Sequence, residues 1–260
     1  MYNIPKYAEL DIDYLCNEQN IQFIAHNIKN RKGVGDIRAV NDLKRKLDSA
    51  HTNENDYALT RKRFYEELFK IPNRTHPVVF KYGEKPKLVK YVNEKQEFNF
   101  TPKGFNEITK RLNLVRTGQL GNVSGNRAYY LLGEMAELEH ALVNHFLERL
   151  VKNKFQLVSV PDVLSRDVVE SCGMNTRGQR NQVYSLDPIY GPDLCLSGTS
   201  EIALAGFRSG KIISEEELPL KLVAISRCYR AETSSVSEEK GIYRVHEFTK
   251  VEMFIITTPE

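Results

Sequence analysis

The chain has 260 residues, 41% apolar and 27% charged, enough for one or two domains with a real core. Its richest apolar stretch, Ala141–Val151, is broken by Asn144, His145, Glu148 and Arg149; nothing matches the roughly 20 apolar residues of a membrane helix, so no membrane partner is expected. Net charge is +3, and residues 29–70 carry 11 basic against 7 acidic side chains, leaving 26 against 27 elsewhere.

The first residues, with Glu9, Asp11 and Asp13, form neither an apolar signal core nor a basic presequence. Ile37, Val40, Leu43 and Leu47 recur three or four apart and predict a helix over 36–50. His51–Asn55 reads as a turn. Tyr57, Phe64, Leu68 and Ile71 predict a second helix over 56–71, closed by Pro72 and Pro77. Two helices joined this way make an antiparallel hairpin. It carries Lys44, Arg45 and Lys46 on one helix and Arg61, Lys62 and Arg63 on the other. These runs read either as a solvated face or as a surface for nucleic-acid phosphates.

Leu88–Val92 and Glu97–Phe100 read as strand pieces. Thr101-Pro102 has the residues of a helix start, and the helix is expected to run to Arg116. A turn follows over Gly118–Gly125. Leu131, Met135, Leu138, Leu142, Phe146 and Leu150 form an apolar stripe that predicts a helix over 130–152. Phe155–Pro161, Leu194–Ser197, Leu220–Arg230 and Ile242–Ile255 read as strands, with a short helix at Glu201–Phe207. The four cysteines show no Cys-x-x-Cys pair and are expected to be buried or half-buried free thiols. His140 and His145 are five apart, a poor spacing for one helical face, and no metal site is assigned.

The densest chemistry lies in Leu218–Phe254. Two β-type runs flank the polar stretch Ala231–Lys240, which predicts a hairpin with a mobile loop. On the second run Arg244, His246, Phe248, Lys250 and Glu252 fall on one face; Tyr243, Val245, Val251 and Met253, with Glu247 and Thr249 between them, fall on the other. Arg230 and Glu232 come from the first run. Arginine forks onto phosphate oxygens and a phenyl ring stacks on a base, so this face suits a nucleotide. A merely wet face is the competing reading.

Arg227-Cys228-Tyr229-Arg230-Ala231-Glu232, followed by residues 241–254 (GIYRVHEFTKVEMF), resembles motif 2 of the seryl-tRNA synthetases, class II enzymes. Gly198-Thr199-Ser200-Glu201 is similar to that family's serine-binding segment, residues 130–161 to motif 1, and residues 36–71 to the tRNA-binding arm. The resemblance implies an α+β fold. An N-terminal helical hairpin (domain 1–77) would precede an incomplete class II antiparallel sheet domain with flanking helices (78–260). It implies a serine–tRNA ligase that uses ATP, with Mg2+, and acts on serine and serine tRNA as a homodimer. It implies Arg230, Glu232, Arg244 and Phe248 on ATP and Thr199, Glu201, Arg230 and Glu252 on serine, with Thr199 and Glu201, two apart, aimed the same way by an extended backbone. Arg230 would be the catalytic group. The basic runs at 44–46 and 61–63 would meet tRNA. Residues 72–77 look most like the animal mitochondrial members, which implies the mitochondrial matrix, with the cytoplasm as the alternative. Two departures matter. The family's motif 3 has no counterpart in these 260 residues, so an incomplete catalytic domain is expected, and the arm is short, with helices of about 15 residues spanning roughly 22 Å each. A non-catalytic, synthetase-like RNA-binding or dimerisation protein is the alternative function.

Overall fold

The computed structural model describes residues 10–31, 33–49, 54–118, 123–177, 181–232 and 241–258. The chain divides into two compact units, with Tyr7–Glu97 in one and Phe98–Glu260 in the other. The first extends past residue 77, because the chain after the hairpin is tied back to it.

In the first unit, helices α1 (Ile12–Cys16) and α2 (Ile21–Asn30) precede the hairpin α3 (Ile37–Ser49) and α4 (Glu54–Leu68). The hairpin was legible in the sequence; α1 and α2 were not. Asp11 accepts the backbone N–H of Tyr14 and caps α1, and Asp36 accepts from Arg38 and Ala39 at the head of α3. Ile24, Ile28, Ile37, Val40, Phe64 and Leu68 are buried together. Such a side chain contributes about 1.5–3 kcal/mol when fully buried. Buried Asn27 donates to the carbonyl of Asn73 at 3.0 Å and accepts from the Thr75 hydroxyl at 2.7 Å, pinning the segment after Pro72. Gly35 sits at φ +97°, where a Cβ would lie 2.7 Å from the carbonyl oxygen of Lys70. Glycine is required there by both space and backbone angle.

Leu88–Val92 forms no strand: Val89 is 86% and Tyr91 83% exposed. β-type residues without a partner face do not make a ladder. Glu97–Phe100 is likewise not a strand.

The second unit opens with α5 (Phe105–Arg111), capped at Gly104. It begins later than Thr101-Pro102 suggested and stops before Arg116, because Asn113 turns to φ +51°. Val115–Arg116 is instead strand β1, paired antiparallel with β2 (Tyr130–Leu131). Gly133, at φ +49°, then turns the chain into α6 (Glu134–Lys152). No residue of α6 is buried, and Leu138, Leu142 and Phe146 of its stripe are each 50% exposed.

The main sheet has the order β3-β6-β7, from β3 (Gln156–Leu157), β6 (Leu220–Tyr229) and β7 (Glu247–Ile256). β6 and β7 pair antiparallel over ten residues, from Leu220 opposite Ile256 to Tyr229 opposite Glu247. β3 runs parallel to β6, so the expected all-antiparallel sheet has one parallel edge strand. β7 also starts later than Ile242, after a turn at Gly241 and Ile242. A second, two-stranded sheet pairs β4 (Val163–Ser165) with β5 (Leu194–Leu196). Helix α7 (Arg166–Ser171) follows β4, and α8 (Ser200–Arg208) follows β5. Leu204 of α8 packs on Leu222, Ala224 and Phe254, fixing α8 against one face of the main sheet. Ile202 of the same helix joins Val169, Val183 and Cys195 in a second cluster.

Cys195 and Cys228 are buried and Cys16 half-buried, as free thiols should be; Cys172 is exposed. No described helix is long and apolar enough to cross a membrane. Among the described residues no three His, Cys, Asp or Glu side chains gather as a metal set.

Candidate active site

The register of β6 and β7 decides which side chains share a face. Ala224 lies opposite Glu252, Ser226 opposite Lys250 and Cys228 opposite Phe248. Directly opposed residues project to the same side. Glu252, Lys250 and Phe248 therefore stand on the α8 side of the sheet. The backbone beyond β6 continues the pairing: Arg230 N–H donates to the carbonyl of His246 at 2.9 Å. This carries Arg230 onto the row of Phe248, Lys250 and Glu252.

The guanidinium of Arg230 lies over the Phe248 ring, 5.1 Å from its centroid. It also approaches the Gly198 carbonyl at 3.4 Å. A Cβ at Gly198 would lie 3.3 Å from the Tyr229 carbonyl oxygen, a tight contact that glycine avoids. The groups that the resemblance assigns to phosphate and base are thus in contact with each other.

Glu232 and Arg244 are also brought together. Arg244 donates to Glu232 Oε2 at 3.0 Å, with the glutamate side chain only 5% exposed. Glu232 sits at φ +40°, an unusual backbone angle for a residue with a Cβ. The loop 233–240 between them lies outside the described residues.

Thr199 is the N-cap of α8, accepting the Glu201 N–H at 3.3 Å. Its hydroxyl donates to Glu252 Oε2 at 2.7 Å. Glu201 is already helical, at the second position of α8, and exposed. The two-residue spacing therefore does not aim Thr199 and Glu201 alike, because the extended chain ends at Thr199. Thr199 joins the Arg230–Phe248–Glu252 face, and Glu201 stays at its edge.

Several participants escaped the sequence reading. His246 Nδ1 lies 3.0 Å from the Arg230 carbonyl oxygen and 2.9 Å from the Tyr184 hydroxyl, buttressing the turn that presents Arg230. Burial, and then the charge of Glu232, push the Tyr184 pKa up. His246 could have been suspected from its place on the face. Nothing local marks Tyr184, which is 62 residues away. On the opposite face of the sheet, Arg227 donates to Glu247 at 2.6 Å and to Thr249 at 2.7 Å. Thr249 donates to Glu139 of α6 at 2.9 Å. Burial works against the Arg227 charge, but Glu247, Tyr129 and Glu139 outweigh it and raise its pKa.

In the hairpin, three of the six flagged cations are already paired. Lys44 contacts Asp48, Arg45 reaches Asp42 and Glu18, and Lys62 approaches Glu66. Arg61 stands 5.3 Å from the Tyr65 ring centroid. Lys46 and Arg63 have no carboxylate partner among the described residues.

In sequence and fold the chain is similar to known proteins. The family model of the class II tRNA synthetase core domain (G, H, P, S and T) matches residues 184–260, which include Tyr184, Thr199, β6 and β7. The mitochondrial serine–tRNA ligase of Mus musculus is 43% identical over 198 residues, 76% of this chain and 38% of that protein. The serine–tRNA ligase of Treponema denticola is 37% identical over 210 residues, 80% of this chain and 49% of that protein. This chain is homologous to the serine–tRNA ligases. It spans less than half the length of either relative. A seryl-tRNA synthetase structure from Pyrococcus horikoshii, complexed with ATP, is 26% identical with a TM-score of 0.64, covering 94% of this chain and 59% of that one. A cytoplasmic serine–tRNA ligase from Naegleria fowleri shares the fold, with a TM-score of 0.77 at 24% identity over 98% of this chain and 68% of that one.

Proposed function

We propose that this chain forms the ATP- and serine-binding part of a serine–tRNA ligase. The observation that carries the reading is the convergence of Arg230, Phe248, Glu252 and Thr199 on one face beside the start of α8. In the proposed reaction the serine carboxylate attacks the α-phosphorus of ATP and pyrophosphate leaves, giving seryl-adenylate. No side-chain nucleophile is required. The work is to align two anions and stabilise the added charge on phosphorus. Arg230 takes that role, swinging from Phe248 to the α-phosphate. The ring it uncovers stacks on adenine. Glu232, released from Arg244, accepts from the adenine amino group, and Arg244 turns to the outer phosphates. Magnesium would enter with those phosphates; the described carboxylates form no cluster for it, and no step is assigned to it.

Serine is chosen by its hydroxyl, read by the Glu252 carboxylate, while Thr199 and Glu201 line the ammonium side. A site built to accept a hydrogen bond from a hydroxyl rejects the analogue lacking it by roughly 10⁴ or more. Lys46 and Arg63, without a carboxylate partner among the described residues, and Arg61 are the parts of the hairpin surface best placed for serine-tRNA phosphates. The half-exposed stripe on α6 supports a homodimer. The mitochondrial names of the mouse and bovine relatives support the mitochondrial matrix.

The test is serine-dependent exchange between ATP and labelled pyrophosphate. Exchange that requires serine and is lost in Arg230→Ala supports the reading. A folded chain that shifts in gels with serine tRNA but shows no exchange would overturn it in favour of a non-catalytic RNA-binding protein.

A further inference from the structure

Lys250 has no part in the site as read so far, yet it sits inside it. Its ammonium donates to Thr199 Oγ1 at 2.9 Å and forms an ion pair with Glu252. Lys250 and Glu252 are two apart on β7 and project to the same side, with side chains 29% and 17% exposed. Both the ammonium and the Thr199 hydroxyl meet Glu252 at Oε2. Among the described residues, Oε1 takes no partner. The Thr199 hydroxyl is fully committed as well. It gives its proton to Glu252 and accepts from Lys250 and from the Glu201 backbone.

A glutamate carboxylate has about four lone-pair sites on two equivalent oxygens, and its terminal torsion is broad. Left alone, such a group takes a hydrogen bond through either oxygen and in many orientations. It then recognises a hydroxyl poorly, because the acceptor must be ordered when the ligand arrives. We propose that Lys250 is the positioning residue that removes this freedom. It clamps Oε2, orients Thr199 as the second jaw, and leaves Oε1 as the single acceptor for the substrate hydroxyl. It also balances the carboxylate charge in a site that is largely out of water, where an unpaired charge is costly. The inference rests on the serine-binding reading above and assigns the discrimination between serine and alanine to a triad of Thr199, Lys250 and Glu252.

The experiment measures binding of serine, alanine and ATP to the full chain by calorimetry, for wild type, Lys250→Met, Lys250→Arg and Thr199→Val, each checked by thermal melt. The expected result is a loss of about tenfold or more in serine affinity for Lys250→Met. Alanine affinity should change much less, so the serine-to-alanine ratio collapses, while ATP affinity stays within about twofold. Lys250→Arg, which restores a cation, should recover most of the ratio, and Thr199→Val should fall between. A purely structural lysine would lower ATP and serine affinity together and leave the ratio alone, and that result overturns the proposal. So does a Lys250→Met chain with wild-type serine binding, which leaves the serine-binding reading intact. A wild-type chain that binds neither serine nor ATP overturns the reading itself, and the role of Lys250 falls with it.

Discussion

The two faces of the β6–β7 ribbon carry a similar mix of apolar and charged side chains but are sheltered differently. The face that holds Arg230, Lys250 and Glu252 is the one covered by α8 over the buried Leu222 and Ala224. The face that holds Lys221, Arg227 and Glu247 beside Val223, Val251, Met253 and Ile255 is the more open one. Met253 is 58% and Ile255 48% exposed there, lining a groove of ≈ 860 Å³ with Leu142, Phe146 and Leu150 of α6. A strand pair normally turns its apolar set inward. Here the polar set is sheltered because it is held in a network: Thr199, Lys250 and Glu252 bond to one another, Arg244 bonds to Glu232, and Arg230 covers Phe248. A sheet face can thus shelter charged groups beside its apolar core when they are held in one network.

The difference can be broken most sharply at Arg230. Its replacement by alanine should lower serine-dependent exchange by a factor of about 10² or more, as for loss of a group that stabilises transition-state charge. The melting temperature should change little, because its side chain makes long contacts to Gly198 and a cation–π contact to Phe248 and holds no part of the apolar core. A smaller effect separates the two faces by stability. Leu222→Ala, at a fully buried position, should cost about 2–5 kcal/mol in urea unfolding. Met253→Ala on the open face should cost about 0.5 kcal/mol or less. Equal losses would mean that the open face is packed in solution.

The polar part of the open face offers a third test. Arg227→Met removes the link from β6 through Thr249 to Glu139 on α6. With both charges partly exposed, the expected cost is about 1 kcal/mol, and it should shrink in high salt.

The smallest effect concerns alkaline pH. Burial raises the Cys228 thiol above its ordinary 9.0, against the pull of Ser226, Lys250 and Arg230, and raises Tyr184 above 10.0. A group whose pKa is raised on folding gives stability that is present below its unfolded value and lost as pH rises through the folded one. Melting temperature should therefore fall from about pH 9 upward. Cys228→Ser should flatten the first part of that fall.

The sequence already showed where the chain changes period. The hairpin helices, the long helix α6 and the two long strands follow from apolar spacing alone. So does the sharing of one face by Phe248, Lys250 and Glu252, since period two requires it. Other features depend on contacts between distant residues and left no local trace. Tyr184 reaches His246 across 62 residues, and Thr199 reaches Glu252 across 53. Leu88–Val92 misled because strand propensity is realised only beside a partner. Glu201 misled because the N-cap at Thr199 ends the extended chain one residue too early for the period of two to apply. α1 and α2 escaped because their boundaries are set by Asp11 and by packing on Ile37 and Val40, not by a long apolar stripe.

The central claim is that one strand face reads nucleotide and serine together. It is tested most directly by calorimetry with a non-hydrolysable seryl-adenylate analogue, a sulfamate in place of the mixed anhydride. The account predicts that the analogue binds far more tightly than AMP or serine alone, and that Phe248→Ala and Glu252→Ala each remove most of the gain. An analogue that binds no better than AMP, or one indifferent to Glu252, would contradict it.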